Sequence, residues 1–124
     1  YIRIKSIQNL WHRAIKHFHD NTPLRFYEWK NKNMLPQYYV RIYKGNGCHA
    51  ILGRVSEEYS KTKGYKGNGL SLGDGCWVLE TIIHELGHVA GFGHTHQRKD
   101  RDKYVFVNYN IIPRNQLRFE LSRS

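Results

Sequence analysis

The sequence predicts an α+β fold, a mixed, twisted sheet of about four or five short strands packed against two helices. Three observations carry that expectation. Apolar residues recur at helical spacing over residues 6–20 and again over residues 78–90. Between these stretches lie short runs of β-branched and aromatic residues, separated by turns containing glycine or proline.

In the first stretch Ile7, Leu10, Ala14, Ile15 and Phe18 form one apolar stripe, and Ser6 stands where an N-cap would. Asp20, Asn21, Thr22 and Pro23 end the helix, because proline cannot continue it and restricts the residue before it. His12, His17 and His19 lie on or beside this helix, but no two are four apart, so they read as surface residues. Residues 24–29 read as a strand and residues 30–36 as a polar loop. The clearest strand is 38–43, which runs into a turn at Gly45 and Gly47. Residues 50–55 read as another short strand, interrupted by Gly53, and residues 56–68 as a loop rich in lysine and tyrosine. Leu70-Ser71-Leu72 is a strand between Gly69 and Gly73, a setting typical of a sheet edge. In the second helix Leu79, Ile82, Ile83, Leu86 and Val89 or Ala90 form the apolar stripe. Residues 95–102 are too polar for a core, residues 104–107 read as a last short strand, and a turn follows around Pro113.

That second helix carries the pattern H-E-x-x-H-x-x-G-x-x-H, from His84 to His94. Four helical residues turn through about 400°, so His84 and His88 share a face one turn apart. Two such imidazoles can bind one zinc ion, which takes nitrogen ligands in a tetrahedral cage. His94 can join them only if the chain reverses, and Gly91 stands where a positive φ would permit that. Glu85 sits beside the pair, where a carboxylate would act as general base. Gly91 and His94 at these offsets lower the chance rate of the bare five-residue motif by roughly a thousandfold. His96 is a further histidine in reach of the motif, but the three earlier ones already supply the protein ligands of a zinc cage.

The chain has 124 residues, enough for one domain of modest size, and its apolar runs are too short for a membrane span. The first residue is Tyr1 and the sole methionine is Met34, so any signal peptide or pro-segment is expected upstream. The formal net charge is +10. That favours anionic partners, but the cations are spread from Arg3 to Arg123 without a run of five. They describe a basic surface open to anionic polymers more than a nucleic-acid site. Cys48 and Cys76 each follow a glycine-rich turn. Composition leaves a disulfide and a pair of buried thiols equally open.

From His84 onward the sequence HELGHVAGFGHTHQRKDRDKYV resembles the astacin family of zinc endopeptidases. Phe92, Arg98, Asp100, Arg101 and Asp102 match the family's extension of the histidine motif. The Gly47-Cys48 turn, Gly53-Arg54, Leu70-Ser71-Leu72 and Gly75-Cys76 match further family segments. The resemblance implies that residues 1–124 are the upper, N-terminal subdomain of a catalytic domain plus a short stretch after the third histidine, without the C-terminal subdomain. It implies zinc held by His84, His88 and His94, one ion per chain. It implies peptide-bond hydrolysis by a metal-activated water with Glu85 as general base. It also implies a Cys48–Cys76 disulfide, secretion, and protein or peptide substrates laid along an edge strand matched by Leu70, Ser71, Leu72 and Gly73. Thr95 departs from the family, which has glutamate there. One family cysteine has no counterpart before residue 25, and the family's methionine turn and zinc-proximal tyrosine are not matched. The competing expectation is a truncated or degenerate relative that binds zinc without catalysis.

Overall fold

A computed structural model describes residues 5–36, 38–63 and 67–115. The chain divides into two compact units, Tyr1–Phe92 and Gly93–Ser124. In the first, α1 (Lys5–Asn21) is followed by β1 (Val40–Tyr43), β2 (Cys48–Ala50), α2 (Glu57–Lys63), β3 (Asn68–Leu72) and α3 (Leu79–Val89). The class is α+β as expected. The described residues form three strands instead of four or five, and a third α-helix joins the expected two.

The order in the sheet is β1-β3-β2. β3 pairs in parallel with β1, Ile42 opposite Leu70, and antiparallel with β2, Cys48 opposite Leu72. The last strand in sequence is therefore the middle one in space, and all five of its residues are buried. This corrects the expectation that Leu70, Ser71, Leu72 and Gly73 form a substrate-binding edge: both sides of that strand are already hydrogen-bonded. The flanking glycine serves close backbone approach instead. A Cβ on Gly73 would meet the Gly45 carbonyl oxygen at 2.6 Å and the Gly47 nitrogen at 2.9 Å. At this crossing the Gly73 N–H donates to the Gly47 carbonyl (3.1 Å), as does the Ser71 hydroxyl (2.9 Å). The disulfide between Cys48 and Cys76 ties the same region together.

The core is built from Ala14 and Phe18 of α1, Leu70 and Leu72 of β3, Cys76, and Ile82 and Leu86 of α3. α3 packs on α1 and on the β2 and β3 strands. α1 already includes Lys5, so Ser6 lies inside the helix and does not cap it. At the other end Thr22 stops it, its N–H and its hydroxyl both donating to the Phe18 carbonyl. Residues 24–29 form no ladder. Leu24 and Phe26 pack on the core, and the Phe26 N–H donates to the His19 Nε2 atom at 2.9 Å. His19 is thus a structural acceptor, whereas His12 and His17 are exposed. α2 lies in the stretch read as a loop. Ser56 caps it, its hydroxyl accepting from the Tyr59 N–H. Glu57 and Glu58 occupy its first turn and Lys61 and Lys63 its last, as the helix dipole favours.

The described residues of the second unit include three single 3-10 turns, Thr95–Gln97, Arg101–Lys103 and Tyr109–Ile111. The strand expected at residues 104–107 is not formed. The Tyr104 and Val105 N–H groups donate back to the Arg101 carbonyl, which curls the chain. Arg101 is only 3% exposed, against the expectation that residues 95–102 stay out of a core. Its guanidinium donates to the His96 carbonyl and to Asp102. Arg98 and Asp100 form a bidentate pair with both contacts at 2.8 Å. That pairing holds the Asp100 carboxyl below, and the Arg98 guanidinium above, their ordinary pKa ranges.

Candidate metal centre

α3 buries Ile82, Leu86 and Glu85 and leaves His84 exposed and His88 half-buried. Its apolar stripe is thus anchored to the core while the histidine face stays open. The His84 and His88 rings lie 4.5 Å apart, centroid to centroid, nearly perpendicular. The helix ends in a Schellman motif. The Phe92 N–H donates to the Gly87 carbonyl and the Gly91 N–H to the His88 carbonyl, both at 2.9 Å. Gly91 has φ of 96°, the left-handed conformation that its position in the motif demanded.

This termination also sets the chemistry of His88. Its Nδ1 atom lies 2.8 Å from the Phe92 carbonyl oxygen. A carbonyl can only accept, so Nδ1 is the donor of this bond, and Nε2 is the ring nitrogen that would ligate a cation. Beyond the turn, one ring nitrogen from each of His84, His88 and His94 lies within 4.8 Å of the others. Nitrogens sharing a tetrahedral zinc sit about 3.4 Å apart, and three ring nitrogens within 4.8 Å of one another could hold one ion. His96 is not part of this group; its ring stacks on His94 at 5.5 Å between centroids and 19° between planes.

Glu85 is 4% exposed, and its Oε2 atom has no hydrogen-bond partner among the described residues. A buried carboxylate oxygen without a partner is costly, and a cation with its bound ligand would relieve it. Three imidazoles, with a carboxylate next in sequence to the first of them, suit zinc in donor type and number. The Gly53 N–H donates to the His88 carbonyl at the end of this helix, and the Asn68 amide holds the carbonyls of Ile51 and Gly53; the sequence did not point to these contacts. Only Gly53, an isolated glycine within an apolar run, carried a local signal.

The peptidase-family model described as Astacin matches residues 3–122. The chain belongs to the astacin family. Astacins are zinc-dependent peptidases, and the three histidines give this one the means to hold a metal ion. Zinc metalloproteinase nas-31 of Caenorhabditis elegans is 45% identical over 75 residues, 60% of this chain and 11% of that protein. Astacin-like metalloprotease toxin 2 of Loxosceles intermedia is 36% identical over 81% of this chain and 35% of its own. The dorsal-ventral patterning protein tolloid of Drosophila melanogaster is 36% identical over 86% of this chain and 9% of its own. Among solved structures, high choriolytic enzyme 1, a hatching enzyme zinc-protease from the medaka fish Oryzias latipes, superposes with a TM-score of 0.76 at 25% identity. That match covers 98% of this chain and 54% of the medaka chain. This astacin sequence therefore spans about half of the solved relative, and less of the three curated ones. Among its described residues no helix is long and apolar enough to cross a membrane.

Proposed function

We propose that this chain is the N-terminal part of a zinc endopeptidase catalytic domain, with His84, His88 and His94 as metal ligands and Glu85 as general base. The observation that carries the reading is the convergence of three imidazole nitrogens, together with a buried carboxylate at the residue after His84 whose Oε2 has no partner among the described residues. When bound, zinc supplies Lewis-acid polarisation of a carbonyl and of an attacking water. Glu85 takes the water's proton and passes it to the departing amide nitrogen. Nδ1 of His88 donates to the Phe92 carbonyl, so its Nε2 atom is the one that would ligate the metal.

The substrate-binding edge belongs to β2. This strand lies at one end of the β1-β3-β2 order, and α3 packs against it. Among the described residues no further strand pairs with it, so an extended peptide could add there through backbone hydrogen bonds. The Cys48–Cys76 disulfide supports residence in an oxidising compartment and hence secretion.

The test is zinc stoichiometry together with casein cleavage. Parent protein should take up one zinc ion per chain. Glu85→Gln should retain that zinc and lose at least about a hundredfold in cleavage, the scale of a general base. His88→Ala should lose the metal. Cleavage by Glu85→Gln at the parent rate would remove Glu85 from its role. One zinc per parent chain with no turnover would make this a non-catalytic zinc-binding relative.

A further inference from the structure

Asn68 opens β3 and is 5% exposed. Its Nδ2 amide donates to two backbone carbonyls of one turn, Ile51 at 2.6 Å and Gly53 at 2.7 Å. The Ile51 N–H returns to the Gly69 carbonyl at 3.3 Å, which closes the base of that turn. Between these two held carbonyls, the Gly53 N–H donates to the His88 carbonyl at 2.8 Å. Gly53 has φ of 66°, and a Cβ placed there would stand 3.7 Å from the Gly91 Cα atom. The turn thus lies flush against the last turn of α3. The His88 carbonyl accepts from Gly53 on the sheet side and from Gly91 within its own helix cap.

We propose that Asn68 is a positioning residue for the metal centre: through the turn at Gly53 it fixes the backbone of His88, and with it the direction of the His88 ring. The inference rests on the zinc reading of the three histidines. A purely structural asparagine would be expected to satisfy its own polar atoms. Asn68 does not, because its Oδ1 atom is buried and has no hydrogen-bond partner among the described residues. Its contribution therefore lies in the two donors, which no apolar residue of its shape could supply. Those donors hold the carbonyls of Ile51 and Gly53 in the turn whose Gly53 N–H reaches the helix. His88 then has both its main chain and its ring tied, the ring by Phe92, and neither tie uses Nε2.

The test compares Asn68→Ala, Asn68→Ser and Asn68→Gln with the parent, in full-length chains. A control, Ala14→Gly, weakens the buried face of α1 without touching the turn. In metal-free protein, exchange of the Gly53 amide hydrogen should speed up at least tenfold in Asn68→Ala and not in Ala14→Gly. Zinc affinity, measured by chelator competition, should fall by about 10–100-fold in Asn68→Ala, the range seen when outer-shell partners of metal ligands are removed. The visible spectrum of the cobalt-substituted variant should change with it. Asn68→Gln keeps the amide and should recover part of the affinity. Asn68→Ser, a milder change, decides the matter should Asn68→Ala not fold. Ala14→Gly should lower the melting temperature and leave zinc affinity within twofold. Asn68 variants that melt lower but bind zinc like the parent would overturn the inference and leave the zinc reading standing. A parent that takes up no zinc would overturn that reading itself.

Discussion

Removing the disulfide by the double change Cys48→Ala/Cys76→Ala should destabilise the first unit without changing its topology. The bond spans 28 residues of sequence. For a loop of that length the chain-entropy relation yields a denatured-state entropy loss of about 12 cal/mol/K, or about 3.5 kcal/mol at 25 °C. Cys76 is fully buried, so trimming its sulfur adds about 1 kcal/mol of lost apolar contact. The crossing itself should survive. The antiparallel ladder of β2 with β3, the Gly73 N–H to Gly47 bond and the Ser71 hydroxyl bond all hold the same segments together. A domain of this size is stabilised by roughly 5–15 kcal/mol in total, so the loss is large but short of complete unfolding. Thermal melts followed by circular dichroism, with chelator present throughout, should show a midpoint lowered by about 10–20 °C. Parent protein held in reductant should melt close to the double variant. A double variant melting within about 2 °C of the oxidised parent would refute the reasoning, placing the bond's effect in a denatured state that is already compact.

Gly91→Ala places a Cβ on a residue with φ of 96° and should cost about 1–2 kcal/mol. Because the chain reversal to His94 depends on that conformation, zinc affinity measured by chelator competition should fall with it. Ser56→Ala removes the α2 cap and should cost about 1 kcal/mol in a urea titration, with zinc affinity unchanged. Asp100 should titrate below the ordinary carboxylate range, chiefly because of its hydrogen bond from Arg98. Its folded pKa is depressed, so the pair's contribution is present above the ordinary carboxylate pKa and is lost as pH falls through the lowered value. In Arg98→Gln the Asp100 carbon resonances should titrate at the ordinary position. A titration unchanged from the parent would remove Arg98 as the cause.

The features that could be read along the chain are those whose causes lie within a few residues. The stripe from Leu79 to Val89 sets α3, and the step from His84 to His88 sets their shared face. Gly91 sets the point of reversal. The α2 helix was equally local: Ser56, two glutamates and two lysines mark its start and end. Its scarcity of apolar residues hid it, since hydrophobic spacing is blind to a helix held mainly by its cap and charges. Arg101 departs from its sequence-based expectation for a related reason. Its polarity argued for solvent, but the folded second unit supplies the His96 carbonyl as a partner for its guanidinium.

By itself, then, the sequence determined the two long helices, the histidine spacing, the carboxylate beside it and the turn that brings the third histidine back. Each follows from backbone periodicity or from the φ that one residue can adopt. Only the tertiary structure decided that β3 lies between β1 and β2, that β2 ends the sheet among the described residues, and that Asn68 reaches His88 through Gly53. Strand order and side-chain clamps are set by hydrogen bonds between residues far apart in the chain. Glycines that mark an edge in one sheet mark close backbone approach in another, and the strand's own residues do not tell the two apart.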